Sequence, residues 1–248
     1  MNQTPNTNTA SERNGSLLSV KAVRSGYGKK EILKNISFEV AEGSIFAMIG
    51  PNGSGKSTAL KTVFGLLRAW GGEIEFGGES CAGLKPPELI GRGLVYVPQG
   101  NRVFADLTVQ QNLTVSLQGV GKMDARCRLG EMAALFPAVR AYLKKRAGTL
   151  SGGEKQQVAL AMGLIKKPKM LLLDEPSLGL APNLLSSVFE QLHQINGQLG
   201  VTILVVEHKV REVFKIADWV IGLRRGEIVE EGKPETIDDA KLKGLFLG

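Results

Sequence analysis

The sequence predicts an α/β protein built on a parallel sheet with helices on both faces. Three observations carry this. Short runs at residues 45–49, 170–173 and 201–206, apolar but for Thr202, have the length of buried strands, and Pro168 and Gly200 flank the last two. A helical pattern over 183–199 lies between those two runs, and strand–helix–strand alternation places the strands side by side and parallel. A glycine-rich segment, residues 50–58, joins the first run to another helical stretch.

The remaining elements follow in chain order. Residues 1–15 are rich in Asn and Thr with almost no large apolar side chain, and are expected to be a disordered tail. Residues 17–23 and 36–40 read as short strands, separated by the turn-rich Ser25-Gly26-Tyr27-Gly28. A helix is expected over 58–67, a short β element over 73–76 between glycine pairs, and a buried strand over 94–97 ended by Pro98. Residues 100–149 carry helical periodicity broken by Pro137 and Gly148, the pattern of an inserted helical subdomain. A helix begins at Ser151 and runs to about Lys166, with Val158, Ala161, Met162 and Ile165 as its apolar stripe. A C-terminal hairpin, 219–223 and 228–230, turns at Arg225-Gly226.

Composition excludes several classes. The chain has 248 residues, 43% hydrophobic and 22% charged, which is ordinary globular usage. Such a length supports a core without disulfide or metal staples. Two cysteines, Cys81 and Cys127, make no disulfide scaffold and no metal-ligand spacing, and fit a reducing compartment. The longest apolar stretches are eight residues, against about 20 for a membrane-spanning helix. No basic-then-apolar leader opens the chain, so a cytosolic protein is expected. The net charge of +7 is spread over short basic clusters, which read as solvated faces rather than a nucleic-acid surface.

The chemistry starts in GPNGSGKST: Gly50, Pro51, Asn52, Gly53, Ser54, Gly55, Lys56, Ser57 and Thr58. It matches G-x-x-x-x-G-K-[ST] between an apolar strand and a helix. Bare backbone N–H groups wrap phosphate oxygens, and a Cβ would obstruct them. The helix N-terminus adds its dipole. Lys56 supplies charge for the β- and γ-phosphates, and Ser57 a hydroxyl for Mg2+. Asp174 and Glu175 follow the apolar run at 170–173, at the strand end where open α/β sheets hold ligands. Asp174 suits Mg2+, and Glu175 can polarise a water for in-line attack on a γ-phosphate. Ser151 and Glu154 fit a capping box, but that does not explain Gly152 and Gly153, each costing about 1 kcal/mol in a helix. Glycines at a helix start admit a phosphate, so a second anion site suggests a nucleotide held between two copies of the protein.

The order GPNGSGKST, Gln99, LSGGE, LLLDE, His208 resembles the ATP-binding cassette of ABC transporters, over residues 17–247. The resemblance implies a P-loop NTPase fold: a RecA-like ABC ATPase core, an antiparallel β subdomain and an inserted helical subdomain at about 100–165, with the ATP-binding domain spanning 16–248. It implies ATP and Mg2+ as cofactors, and a head-to-tail dimer in which Ser151, Gly152, Gly153 and Glu154 reach ATP bound by the other subunit. Tyr27 matches the aromatic that stacks on adenine, and Gln99 the loop that senses Mg2+ and the membrane partner. His208 matches the switch histidine beside the γ-phosphate, and residues 177–182 the loop that crosses the dimer seam. Catalysis then falls to Glu175, His208 and Lys56, and Mg2+ to Ser57, Gln99 and Asp174.

Residues 97–104, 107–113, 174–182 and the closing Leu245-Phe246-Leu247-Gly248 resemble the branched-chain amino-acid importer branch, including relatives assigned to urea or short amides. That branch normally lacks a long C-terminal regulatory domain, and this chain stops soon after the hairpin. The resemblance implies a peripheral subunit on the cytoplasmic face of the inner membrane. Its partners would be a second ATP-binding subunit, identical or sister, transmembrane permease subunits and, indirectly, a periplasmic or extracytoplasmic solute-binding protein; no nucleic acid is expected. An exporter ATPase uses the same motifs. A soluble ABC-type ATPase acting on nucleic acid or ribosomes usually carries paired cassettes or a coiled-coil insertion, absent here. A non-hydrolysing nucleotide sensor is opposed by the joint presence of Lys56, Asp174, Glu175 and His208.

Overall fold

The structure is a computed structural model that describes residues 15–100 and 102–247. The tail expected over 1–15 lies outside them apart from Gly15, as do Asn101 and Gly248 of the segments that resemble the importer branch.

Strands β1 (Ser16–Tyr27) and β2 (Lys30–Ala41) form a long antiparallel hairpin. β3 (Ile45–Ile49) leads into α1 (Lys56–Val63). β4 (Ala69–Phe76) returns to pair with β1, and β5 (Glu79–Ser80) pairs with β4, giving a four-stranded sheet of order β2-β1-β4-β5 among the described residues. α2 (Pro86–Arg92) precedes β6 (Leu94–Val97). Helices α3 (Val109–Ser116), α4 (Lys122–Leu135), α5 (Pro137–Tyr142) and α6 (Gly152–Leu164) then run in succession. β7 (Met170–Asp174), α7 (Pro182–Leu199) and β8 (Thr202–Glu207) make the strand–helix–strand unit. α8 (Val210–Val213), β9 (Trp219–Arg224), β10 (Glu227–Gly232) and α9 (Asp239–Leu247) close the chain.

The second sheet has order β10-β9-β3-β8-β7-β6, parallel throughout except for the edge strand β10. Alternation along β3 sends its side chains into two cores. Ile45, Ala47 and Ile49 join Val158 of α6 and Phe189, Leu192 and Ile195 of α7. Phe46 and Met48 join Ala59, Leu60 and Val63 of α1, with Leu18, Val20 and Phe38 of the antiparallel sheet. Both faces of the parallel sheet are therefore covered, which is why its strands read as unbroken apolar runs. Helices α3 to α5 pack on the first core through Val109, Leu113, Met132 and Val139. Residues 104–108, ahead of α3, are fixed by buried Asn112, whose Oδ1 accepts the Phe104 amide at 2.7 Å and whose Nδ2 donates to the Thr108 carbonyl at 2.9 Å.

Several boundaries differ from expectation, each for a physical reason. The turn expected at Ser25-Gly26-Tyr27-Gly28 begins only at Gly28, because β1 pairs through Tyr27 with Lys30. The element expected over 73–76 extends back to Ala69, since Gly71 lies opposite Arg24 at a register shift in the ladder. The helix expected over 58–67 starts at Lys56 and ends at Val63. Gly65 closes it: its amide donates to Thr62 and the Leu66 amide to Lys61, a left-handed turn that caps the last carbonyls. Pro137 starts α5 rather than merely breaking a helix. Helices α2, α8 and α9 were not expected. The first strand of the C-terminal hairpin belongs to the parallel sheet, beside β3.

Phe46 is buried and stacks on Phe38, with ring centroids 5.5 Å apart, where the parallel sheet meets the antiparallel one. Phe46→Ala is expected to cost about 3–5 kcal/mol, read as a lower urea midpoint with an unchanged denaturant slope.

Candidate functional site

β3, β8 and β7 are adjacent and parallel, so their carboxyl ends deliver Gly50, His208 and Glu175 to one edge of the sheet. Between β3 and α1 the loop coils through positive φ at Gly50 (150°), Gly53 (79°) and Gly55 (111°), angles that favour glycine. Gly50 also lies against the main chain of β9: a Cβ there would run into the Leu223 carbonyl oxygen. The Ser54 carbonyl accepts the Gly226 amide at 2.8 Å, which ties the loop to the β9–β10 turn.

Lys56 is buried and turns back into the loop. Its Nζ donates to the carbonyls of Gly50 at 2.9 Å and Pro51 at 3.0 Å. Burial pulls its pKa below the usual lysine value, and the carboxylates of Glu175, Asp174 and Glu207 oppose that shift. The Ser57 hydroxyl donates to Asp174 Oδ1 at 2.7 Å. The Tyr96 hydroxyl donates to Asp174 Oδ2 at 2.9 Å, and burial, then the adjacent Asp174 charge, push that phenol far above its ordinary range. Glu175 follows β7 in a left-handed conformation (φ 48°) that a non-glycine residue adopts only under constraint. Gln99 Nε2 donates to its Oε2 at 2.6 Å. His208 Nδ1 stands 3.5 Å from Glu175 Oε1 without closing a hydrogen bond.

A cleft of about 190 Å³ opens over this edge, lined by Ile32, Asn52, Gly53, Gly55, Lys56, Ser57, Thr58 and Glu175. Hard oxygen donors, one hydroxyl and one carboxylate, meet at Ser57 and Asp174. That pair fits Mg2+, which is held by one or two protein oxygens plus substrate phosphates. Among the described residues no group of three or more His, Cys, Asp or Glu side chains is placed to hold a metal ion. Three buried carboxylates around one ammonium also call for further positive charge before a triphosphate can settle there. A larger cavity of about 610 Å³, near α4 and the end of α7, contains none of the predicted site residues.

Lys56, Ser57, Gln99, Asp174, Glu175 and His208 are thus brought together. Other expected residues lie apart. Tyr27 ends β1 with 47% of its surface exposed and does not line the cleft. Ser151 caps α6: its hydroxyl donates to Glu154 Oε2 at 2.7 Å, and that oxygen also accepts the Ser151 amide at 2.7 Å. Gly152 and Gly153 follow beside Leu180 and Leu184, and none of these four residues lines the cleft of its own chain. Two contributors went unread in the sequence. Glu207 is fully buried beside His208, and its signal was an acid closing the apolar run 203–206. Tyr96 carries the one hydroxyl of its strand, three positions before Gln99.

The sequence family described as "ABC transporter" matches residues 33–178. The chain is 39% identical over 233 residues, 94% of its length and 100% of the relative's, to the high-affinity branched-chain amino acid transport ATP-binding protein BraG of Pseudomonas aeruginosa. It is 36% identical, over 94% of its length and 99% of the relative's, to the probable branched-chain amino acid transport ATP-binding protein LivF of Archaeoglobus fulgidus. A dimeric ATP-binding cassette in a post-hydrolysis state, bound to ADP and Pi, superposes with a TM-score of 0.76 at 27% identity, over 88% of this chain and 98% of that one. The chain belongs to the ABC transporter family. It has the nucleotide-binding ATPase fold of that family, in which ATP hydrolysis is coupled to transport. Among the described residues no helix is long and apolar enough to cross a membrane.

Two outcomes are expected, one of the site and one of the α6 cap. Tyr96→Phe removes a hydrogen bond to a buried carboxylate and should cost about 1.5–3 kcal/mol in chemical denaturation. The Ser151 hydroxyl and amide hold Glu154 below the usual carboxylate range. A depressed carboxyl stabilises the fold above its unfolded pKa, and that contribution is lost as pH falls through the lower folded value. The stability gap between the native protein and Glu154→Gln should therefore stay constant above about pH 5.5 and shrink toward pH 3 in denaturation series.

Proposed function

We propose that the chain is the ATPase subunit of an importer for branched-chain amino acids or a related small solute such as urea or a short amide. The two relatives named for branched-chain amino acid transport support the branch. The observation that carries the mechanism is the meeting of Lys56, Ser57, Asp174 and Glu175 at the carboxyl ends of β3 and β7. Residues 16–248 act as one ATP-binding domain, with the helical part at about 100–165, on the cytoplasmic face of the membrane against permease subunits. A solute-binding protein is met only through them.

The amides of Gly50, Pro51's successor Asn52, Gly53, Ser54 and Gly55 wrap the phosphates, with Thr58 at the start of α1 behind them. Lys56 exchanges the carbonyls of Gly50 and Pro51 for β- and γ-phosphate oxygens. Ser57, Asp174 and Gln99 would hold Mg2+, which when bound neutralises phosphate charge. Tyr27 stacks on adenine. Glu175 takes a proton from the attacking water as its oxygen bonds to the γ-phosphorus. The bond to the β–γ bridging oxygen breaks, and ADP and phosphate leave. His208 steadies the γ-phosphate. Ser151, Gly152, Gly153 and Glu154 of a second cassette complete the site from across the seam. Their position outside this chain's own cleft and the dimeric relative both support that arrangement.

Glu175→Gln is expected to lower steady-state ATP turnover about 100-fold or more and to elute as a dimer in ATP on gel filtration. Unchanged turnover removes Glu175 from its role. Cells lacking the gene are expected to lose uptake of labelled leucine; intact uptake assigns the subunit to another solute.

A further inference from the structure

Glu207 has no part in the chemistry above, yet it is a fully buried carboxylate one residue before His208. Strands β7 and β8 pair in parallel as far as Asp174 and Val206, and the Glu175 amide still donates to the Val206 carbonyl at 3.0 Å. Beyond that point the Glu207 side chain continues the tie between the two segments. Its Oε1 accepts the Ser177 amide at 2.9 Å. Its Oε2 accepts the His208 amide at 3.1 Å and, more loosely, the Lys209 amide at 3.4 Å. A carboxylate has acceptors on both arms, so it bridges two sets of N–H donors that no carbonyl could reach together.

We propose that Glu207 is a positioning residue for ATP hydrolysis: it locks the segment after Glu175 to the backbone of His208 and so sets the imidazole against the Glu175 carboxylate. This rests on the role given to His208 above. The geometry makes the requirement specific. Glu175 itself is held in a left-handed conformation, and His208 Nδ1 makes no hydrogen bond of its own to fix the ring. The backbone of His208 is therefore the handle by which its side chain is placed. A glutamine at 207 keeps the shape but replaces one acceptor arm with N–H donors. It can hold either the Ser177 side or the His208 side, and it sets donor against donor on the other.

The test is a double-mutant cycle with Glu207→Gln and His208→Ala. Glu207→Gln is expected to lower kcat about tenfold or more while the KM for ATP stays within about twofold, the pattern of an interaction made only in the transition state. In the His208→Ala background it should add less than about twofold, because both changes act through one group. Independent, multiplying losses overturn the proposal. A harmless Glu207→Gln beside a crippling His208→Ala overturns it while leaving the His208 assignment standing; a harmless His208→Ala overturns both. Should Glu207→Gln fail to fold, amide exchange in the native protein decides. The Ser177 and His208 amides are expected to exchange as slowly as those within β8, and fast exchange at either overturns the lock.

Discussion

The 2.7 Å hydrogen bond between the Ser57 hydroxyl and Asp174 joins the two halves of the site. Ser57 stands at the start of the helix that follows β3, and Asp174 ends β7, two strands away across β8. The bond exists only because all three strands run the same way and stop at the same level. The register that pairs Ile49 with Glu207 and Asp174 with Val206 fixes that level. The two apolar cores hold the strands from both sides, so the placement of a few polar atoms rests on some of the most buried side chains in the molecule.

The site departs from what stability alone would select. Asp174, Glu175 and Glu207 are buried together beside a buried lysine. Each charge is tied by specific donors: two hydroxyls on Asp174, a side-chain amide on Glu175, backbone amides on Glu207. Such groups are tolerated inside a protein only when they are hydrogen-bonded or paired. The left-handed Glu175 is a further local strain of the kind that clusters at functional sites.

Much of this was legible in the sequence. The apolar runs gave the parallel sheet, because strands covered on both faces need no polar alternation. The glycine loop between a strand and a helix lines the cleft over the sheet's carboxyl end. Boundaries were less legible where the cause is tertiary. Gly65 ends α1 through a capping turn, and Tyr27 stays in β1 because β2 pairs with it. Glu207 and Tyr96 escaped notice because neither sits in a recognisable spacing. Their meaning depends on which amide or carboxylate the fold carries to them from residues 30 and 78 positions away. Short α8 and the late α9 carry weak periodicity and are held by packing on neighbours, as Leu245 is against Gly222.

If two cassettes meet as proposed, the start of α6 bears on how readily they separate. The Ser151 hydroxyl already has an intramolecular acceptor in Glu154. In the proposed dimer, a phosphate reaching Ser151 from the other cassette would have to share that hydroxyl with the Glu154 carboxylate. Once the phosphate departs, the native contact re-forms within the helix and leaves no unsatisfied group behind. The proposed seam would thereby meet a standing intramolecular competitor for one of its donors, which favours brief encounters over permanent association.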